Sequence, residues 1–106
     1  MASTPEKKVK LRVVAQLKKL GAYYFYPVTG GFGASGVPDI IVCYKGKFFG
    51  LECKTIGNKP TPLQLLNINN IRIAGGTALV INENNMDQIE SILNGEGPHG
   101  QFQNQG

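Results

Sequence analysis

The sequence predicts a mixed α/β domain, a central β-sheet flanked by helices in the order helix, three strands, helix, strand, helix. Three observations carry this. Apolar residues recur at helical spacing in two separate stretches, from Val9 to Leu20 and from Leu65 to Ile73. Two runs of strand-forming residues flank Lys45-Gly46, and a short β-branched run, Thr77 to Ile81, follows the second helical stretch. The 106 residues suit one small domain with one core. We assign residues 1–94 to it and expect 95–106, rich in Gly, Gln and Asn, to be a disordered polar tail.

Ser3-Thr4-Pro5-Glu6 opens the first helix as a capping box, with Ser3 at the N-cap, Glu6 three residues on and Pro5 in the first turn. Val9, Val13, Leu17 and Leu20 form its apolar stripe, and Gly21 ends it. Tyr23 to Tyr26 is strand-like and ends at Pro27, which places it near a sheet edge, and its aromatic residues are expected to be sheet core and dimer surface rather than base-stacking residues. Gly30 to Gly36 is a permissive connection. It is not a phosphate-binding P-loop, because no Gly-Lys-Ser/Thr follows. Thr61-Pro62-Leu63-Gln64 repeats the capping grammar and starts the second helix. Leu65, Ile68 and Ile71 form its inward stripe, with Leu66 and Ile73 alongside, and Gly75-Gly76 stops it. Asn85 caps a last helix, Met86 to Leu93.

The hairpin is the informative element. A two-residue turn at Lys45-Gly46 pairs Tyr44 with Lys47, Cys43 with Phe48, Ile41 with Gly50 and Asp39 with Glu52. Alternation then puts Ile40, Val42, Phe49 and Leu51 on a core face and gathers Asp39, Glu52 and Lys54 on the other. It also separates Cys43 from Cys53, which argues against a disulfide. Two opposed carboxylates repel each other and need an offset. Lys54 in a plain ion pair is one candidate. A divalent cation is the other, because Mg²⁺ takes oxygen ligands from one or two carboxylates plus phosphate and water. We favour the metal, with Lys54 orienting an attacking water and stabilising negative charge on a phosphate.

Charge supports a phosphate-bearing partner. All eleven Lys and Arg lie between Lys7 and Arg72, so residues 1–82 carry a net +8 and residues 83–106 carry −4. A basic body fits nucleic acid. Lys7, Lys8, Lys10, Arg12, Ser35 and Lys59 are candidate DNA-binding residues. The cysteines lack zinc spacing, no apolar run reaches the length of a membrane span, and the charged N-terminus does not read as a secretory signal. A cytoplasmic protein is expected.

Pro38-Asp39, then Glu52-Cys53-Lys54 on the next strand, resembles the PD-(D/E)xK nuclease motif. With Gly36-Val37 before it and Gln64 in the first turn of the following helix, it resembles the VRR-NUC branch, in particular the small stand-alone phage and bacterial type, which is similar to archaeal Holliday-junction resolvases. The resemblance covers about residues 5–82. It implies a restriction-endonuclease-like core and a Mg²⁺-dependent endonuclease, with Mn²⁺ as a substitute. It implies metal ligands at Asp39, Glu52, the Cys53 backbone carbonyl and a first-helix acid, for which Glu6 is the candidate, and a supporting role for Gln64. It also implies branched or junction DNA as substrate and a homodimer, because the short chain lacks further DNA-binding domains. The alternative is a non-catalytic basic nucleic-acid-binding module that keeps the nuclease fold.

Overall fold

The structure, a computed structural model, describes residues 4–28 and 36–96. Its elements are α1 (Pro5–Leu20), β1 (Tyr23–Phe25), β2 (Ile40–Tyr44), β3 (Lys47–Cys53), α2 (Pro62–Ile73), β4 (Thr77–Ile81) and α3 (Ile89–Leu93). The expected order is the observed order. The expected polar tail from 97 onward and the Gly30 to Ser35 connection lie outside the described residues.

The strands form one mixed sheet in the order β1-β2-β3-β4. The β1–β2 and β2–β3 pairs are antiparallel, and β3–β4 is parallel. A parallel pair needs a crossover, and α2 supplies it. The β2–β3 turn places Lys45 at φ 50° and Gly46 at φ 80°. Positive φ at both central residues matches the twist of the flanking strands. The observed register, Tyr44 with Lys47 through Ile40 with Leu51, is the one the turn predicts.

Alternation along β3 divides the molecule into layers. Phe49, Leu51 and Cys53 join Ile40, Val42, Leu79 and Ile81 beneath Val9, Val13 and Leu17 of α1 and Ile89 and Leu93 of α3. Gly50 and Glu52 point to the other face, where α2 packs. A Cβ on Gly50 would lie 2.8 Å from Ile71 Cδ1 and 2.9 Å from Pro38 Cγ, so this position keeps helix and sheet close.

Several expectations are corrected. The α1 N-cap is Thr4, not Ser3: its hydroxyl accepts from the Lys7 N–H at 3.1 Å. Glu6 therefore does not close a capping box. Among the four aromatics at 23–26, only Tyr24 packs against the core, because β1 is an edge strand with little above it. On α2, Ile68 is buried, but Leu65, Leu66 and Ile73 are exposed. The inward side of that helix is instead Gln64, Ile68 and Ile71, which face β3 and β4. Finally, α3 begins at Ile89 rather than Met86. Asn85 is buried and spends its side chain on the Asn82 N–H at 2.8 Å and the Val80 carbonyl at 3.1 Å, so it cannot cap the helix. The Ile89 N–H is met by Gln16 Oε1 from α1, 3.4 Å away.

Candidate active site

The β2–β3 ladder ends at Ile40 and Leu51, one step short of Asp39 and Glu52. Asp39 is therefore not a strand residue directly paired with Glu52, as the simple hairpin reading has it. Its carboxylate takes over where the backbone ladder stops: Oδ2 accepts the Cys53 N–H at 2.9 Å. On the opposite edge the Lys54 N–H donates to the Ile81 carbonyl at 2.9 Å and continues the parallel ladder. The segment 52–54 is thus held from both sides. That rigidity orients the Glu52 and Lys54 side chains and the Cys53 carbonyl.

Glu52 is only 1% exposed. Its Oε2 accepts from Gln64 Nε2 at 2.9 Å and lies 3.7 Å from Lys54 Nζ. Its Oε1 is buried and has no hydrogen-bond partner among the described residues. Burial pushes the Glu52 carboxyl up from 4.5 to about 7, the Asp39 charge adds to this, the Lys54 ammonium pulls down, and Glu6 pushes up again. The Asp39 backbone N–H, the last of these influences, lowers it. Beside it, burial and then the Asp39 and Glu52 charges push the Cys53 thiol up to about 12. Cys53 is a core residue and Cys43 is exposed, both free.

Gln64 has two jobs at once. Its Oε1 accepts the Thr61 N–H at 2.8 Å while its backbone N–H donates to the Thr61 hydroxyl at 3.2 Å, which is a complete capping box. Its remaining amide N–H₂ goes to Glu52. The cap locks the amide with nitrogen toward the carboxylate, so helix start and acid are coupled through one side chain.

Glu6 stands at the second position of α1, free of any capping role, and lines an open cleft of about 740 Å³ together with Asp39. The same cleft is walled by Lys7, Lys10, Leu11, Tyr26, Thr55 and Asn58. Of the candidate DNA-binding residues, the structure brings Lys7 and Lys10 to this cleft. Lys8 and Lys59 are exposed outside its walls, Arg12 is engaged by Asp87 at 2.8 Å, and Ser35 lies outside the described residues. Thr55 and Asn58 were not singled out by sequence, and Tyr26 was expected in the sheet core or on a dimer surface rather than on a cleft wall. Only the Thr55–Asn58 turn had a local signal, three residues apart and closed by a 2.7 Å side-chain hydrogen bond.

The donors suit a hard divalent cation. A buried carboxylate oxygen without a donor is costly, and a cation is the partner that would satisfy it without a proton. Among the described residues no three His, Cys, Asp or Glu side chains gather closely enough to hold a metal by themselves. An ion there would lean on Asp39, Glu52 and the Cys53 carbonyl, with substrate oxygens and water completing its shell, the arrangement Mg²⁺ favours.

No protein-family model matches the chain. A phage protein called "Putative nuclease p44", from Acyrthosiphon pisum secondary endosymbiont phage 1, is 30% identical over 90 residues, which span 84% of this chain and 95% of that protein. A solved structure called "VRR_NUC domain" superimposes with a TM-score of 0.69 and 23% identity, covering 87% of this chain and 97% of the other. A second, "VRR_NUC domain protein", gives 0.61 and 18% identity, with 89% of each chain covered. Archaeoglobus fulgidus Hjc, a Holliday junction resolvase from an archaeal hyperthermophile, gives 0.54 and 16% identity over 72% of this chain and 65% of its own. The solved structures share the fold, and the phage protein shares sequence over nearly its whole length. The chain belongs to the family of this phage protein called a putative nuclease, and it carries the fold of the VRR_NUC domain structures.

Proposed function

We propose that this nuclease is a Mg²⁺-dependent DNA endonuclease, selective for branched or junction DNA. The observation that carries the metal reading is Glu52 Oε1, a buried carboxylate oxygen without a hydrogen-bond partner among the described residues, on a side chain whose other oxygen lies 3.7 Å from Lys54 Nζ. A divalent ion bound there, with Mn²⁺ able to replace Mg²⁺, would lend positive charge to the phosphate and ease deprotonation of the attacking water. Asp39, held by the Cys53 N–H, and Glu52, held by Gln64, present the oxygens for it, and Glu6 of α1 lines the same cleft as Asp39. The Lys54 ammonium, anchored 3.7 Å from Glu52 Oε2, orients the water and meets the negative charge that builds on the phosphate. Lys7 and Lys10 attract the flanking phosphates.

Cleavage of labelled four-way junction, flap, single-strand and plain duplex DNA in Mg²⁺, Mn²⁺ or EDTA tests this. Lys54→Ala is expected to lower the rate by about 10²- to 10⁴-fold, the usual worth of a positioned acid–base group, while DNA binding persists. Binding that survives without any metal-dependent cutting would instead leave a non-catalytic DNA-binding module. Selectivity for junctions draws support from the fold shared with the archaeal resolvase.

A homodimer fits the same reading, and α2 offers its surface. Leu63, Leu66, Asn70 and Ile73 repeat at spacings of three and four along the outer side of the helix, and the three apolar members are 51%, 52% and 76% exposed. The helix carries no acid, and its one basic residue, Arg72, turns its Nε–H to the Ala78 carbonyl at 3.0 Å. Two copies of a basic chain would meet there across a two-fold axis without like-charge repulsion. Leu66→Glu is expected to convert a dimer to a monomer in sedimentation equilibrium. A wild type that sediments as a monomer would remove the dimer.

A further inference from the structure

Tyr26 is not explained by the fold or by the chemistry assigned above. It lies one residue past the end of β1, before Pro27, and is 46% exposed. Its ring makes an edge contact with Tyr24, centroids 6.1 Å apart, and Lys10 Nζ stands 4.6 Å from its centroid. Ring and ammonium both line the cleft that Glu6 and Asp39 enter.

The spacing is informative. Glu6 and Lys10 are four residues apart on α1, so they sit on the same side of the helix about 5–6 Å apart. The ring that Lys10 meets therefore lies toward the side of α1 that also carries Glu6, and it shares the cleft with Asp39. A cation against the ring contributes about 0.5–1 kcal/mol at exposed sites and restrains the ring. The residue keeps 46% of its surface exposed on the wall of the cleft. An open aromatic face next to a phosphate-handling centre is the element by which proteins hold an unpaired base, since every base has a π-face and stacking is tolerant of sequence. A base inside a continuous duplex already has both faces covered by its neighbours. Only a nucleotide splayed from its stack can reach a ring on a cleft wall.

We propose that Tyr26, braced by Lys10, is a stacking platform for the unpaired nucleobase beside the scissile phosphate, and that it makes this nuclease favour DNA with unstacked bases at the cut. This rests on the nuclease reading for its placement, but its test does not require cleavage.

The experiment is binding in EDTA of a flap carrying 2-aminopurine at the branch, against a continuous duplex of the same sequence. Wild type and Tyr26→Phe are expected to quench the fluorophore and to bind the flap more tightly than the duplex. Tyr26→Leu should lose the quench and bind the flap about 10- to 100-fold more weakly, the worth of one stacked base, with duplex affinity and melting temperature unchanged. Three results would overturn the platform: flap binding by Tyr26→Leu equal to wild type, an equal loss for flap and duplex, or no flap preference in the wild type. If cleavage fails in every metal while Tyr26→Leu still loses the flap preference, the platform stands and the catalytic reading falls. If cleavage occurs and the preference is untouched, the reverse holds.

Discussion

Glu52→Gln is expected to stabilise the metal-free protein at pH 8 and to destroy its nuclease activity. Folding buries the carboxyl and raises it from 4.5 to about 7, through burial first and the Asp39 charge second, against the pull of Lys54. The folded state therefore holds a proton that the unfolded chain releases at lower pH. Stability is greatest below about 4.5, falls as pH rises through the window from 4.5 to about 7, and stays low above it. The penalty is roughly 3 kcal/mol at full ionisation, at 1.36 kcal/mol per unit. A glutamine removes the titration and keeps an oxygen for Gln64 to donate to. Metal-free wild type should thus lose melting temperature from pH 5 to pH 8, while the variant stays nearly flat. Adding Mg²⁺ at pH 8 should raise the melting temperature of the wild type alone, because a ligand stabilises only the state that binds it. Cleavage should drop more than about 10³-fold, since charge stabilisation by a metal is worth several kcal/mol. Parallel melting curves for the two proteins between pH 5 and 8, or equal stabilisation of both by Mg²⁺, would sink the idea.

Gly36→Ala should damage fold and site together. Gly36 has φ +79°, and a Cβ there would lie 2.6 Å from the Leu63 carbonyl carbon and 2.8 Å from the Gln64 nitrogen. These are backbone atoms at the capped start of α2 and cannot rotate away. A left-handed alanine costs about 1–2 kcal/mol, and overpacking adds about 1–3 kcal/mol. We expect a loss of roughly 3 kcal/mol in urea unfolding at an unchanged slope. The same push moves Gln64 away from Glu52, so the surviving folded enzyme should also turn over more slowly. A change in stability below about 0.5 kcal/mol, the range of ordinary surface substitutions, would show that the α2 start is not held by this contact.

Gly36 also illustrates where reading the chain stops. Its place in a glycine-rich stretch marks a permissive connection, whereas its need for a missing Cβ comes from Leu63 and Gln64, 27 and 28 positions away. Thr4 and Ser3 are both competent caps, so neighbouring hydroxyls leave the frame of α1 open by one residue. That single step decides whether Glu6 closes a cap or faces the cleft. The periodicity of α2 is real, but a helix rich in apolar residues on several sides does not declare which side meets the sheet. Here the capping residue Gln64 turned inward with Ile68 and Ile71, and Leu66 and Ile73 were left outside.

The hairpin is the opposite case. Its register follows from two turn residues and strict side-chain alternation, all within about a dozen positions, so Glu52 and Lys54 could be put on one face, and Asp39 at its end, from local rules alone. Non-local packing settled the rest. It covered Glu52 with α2 and left one of its oxygens without a hydrogen-bond partner among the described residues, swung Asp39 onto the Cys53 N–H at the end of the ladder, and brought Glu6, Lys10 and Tyr26 from α1 and the sheet edge into one cleft with Asp39. Those contacts join residues that are distant along the chain, and their geometry depends on how whole layers stack, which no spacing within one element encodes.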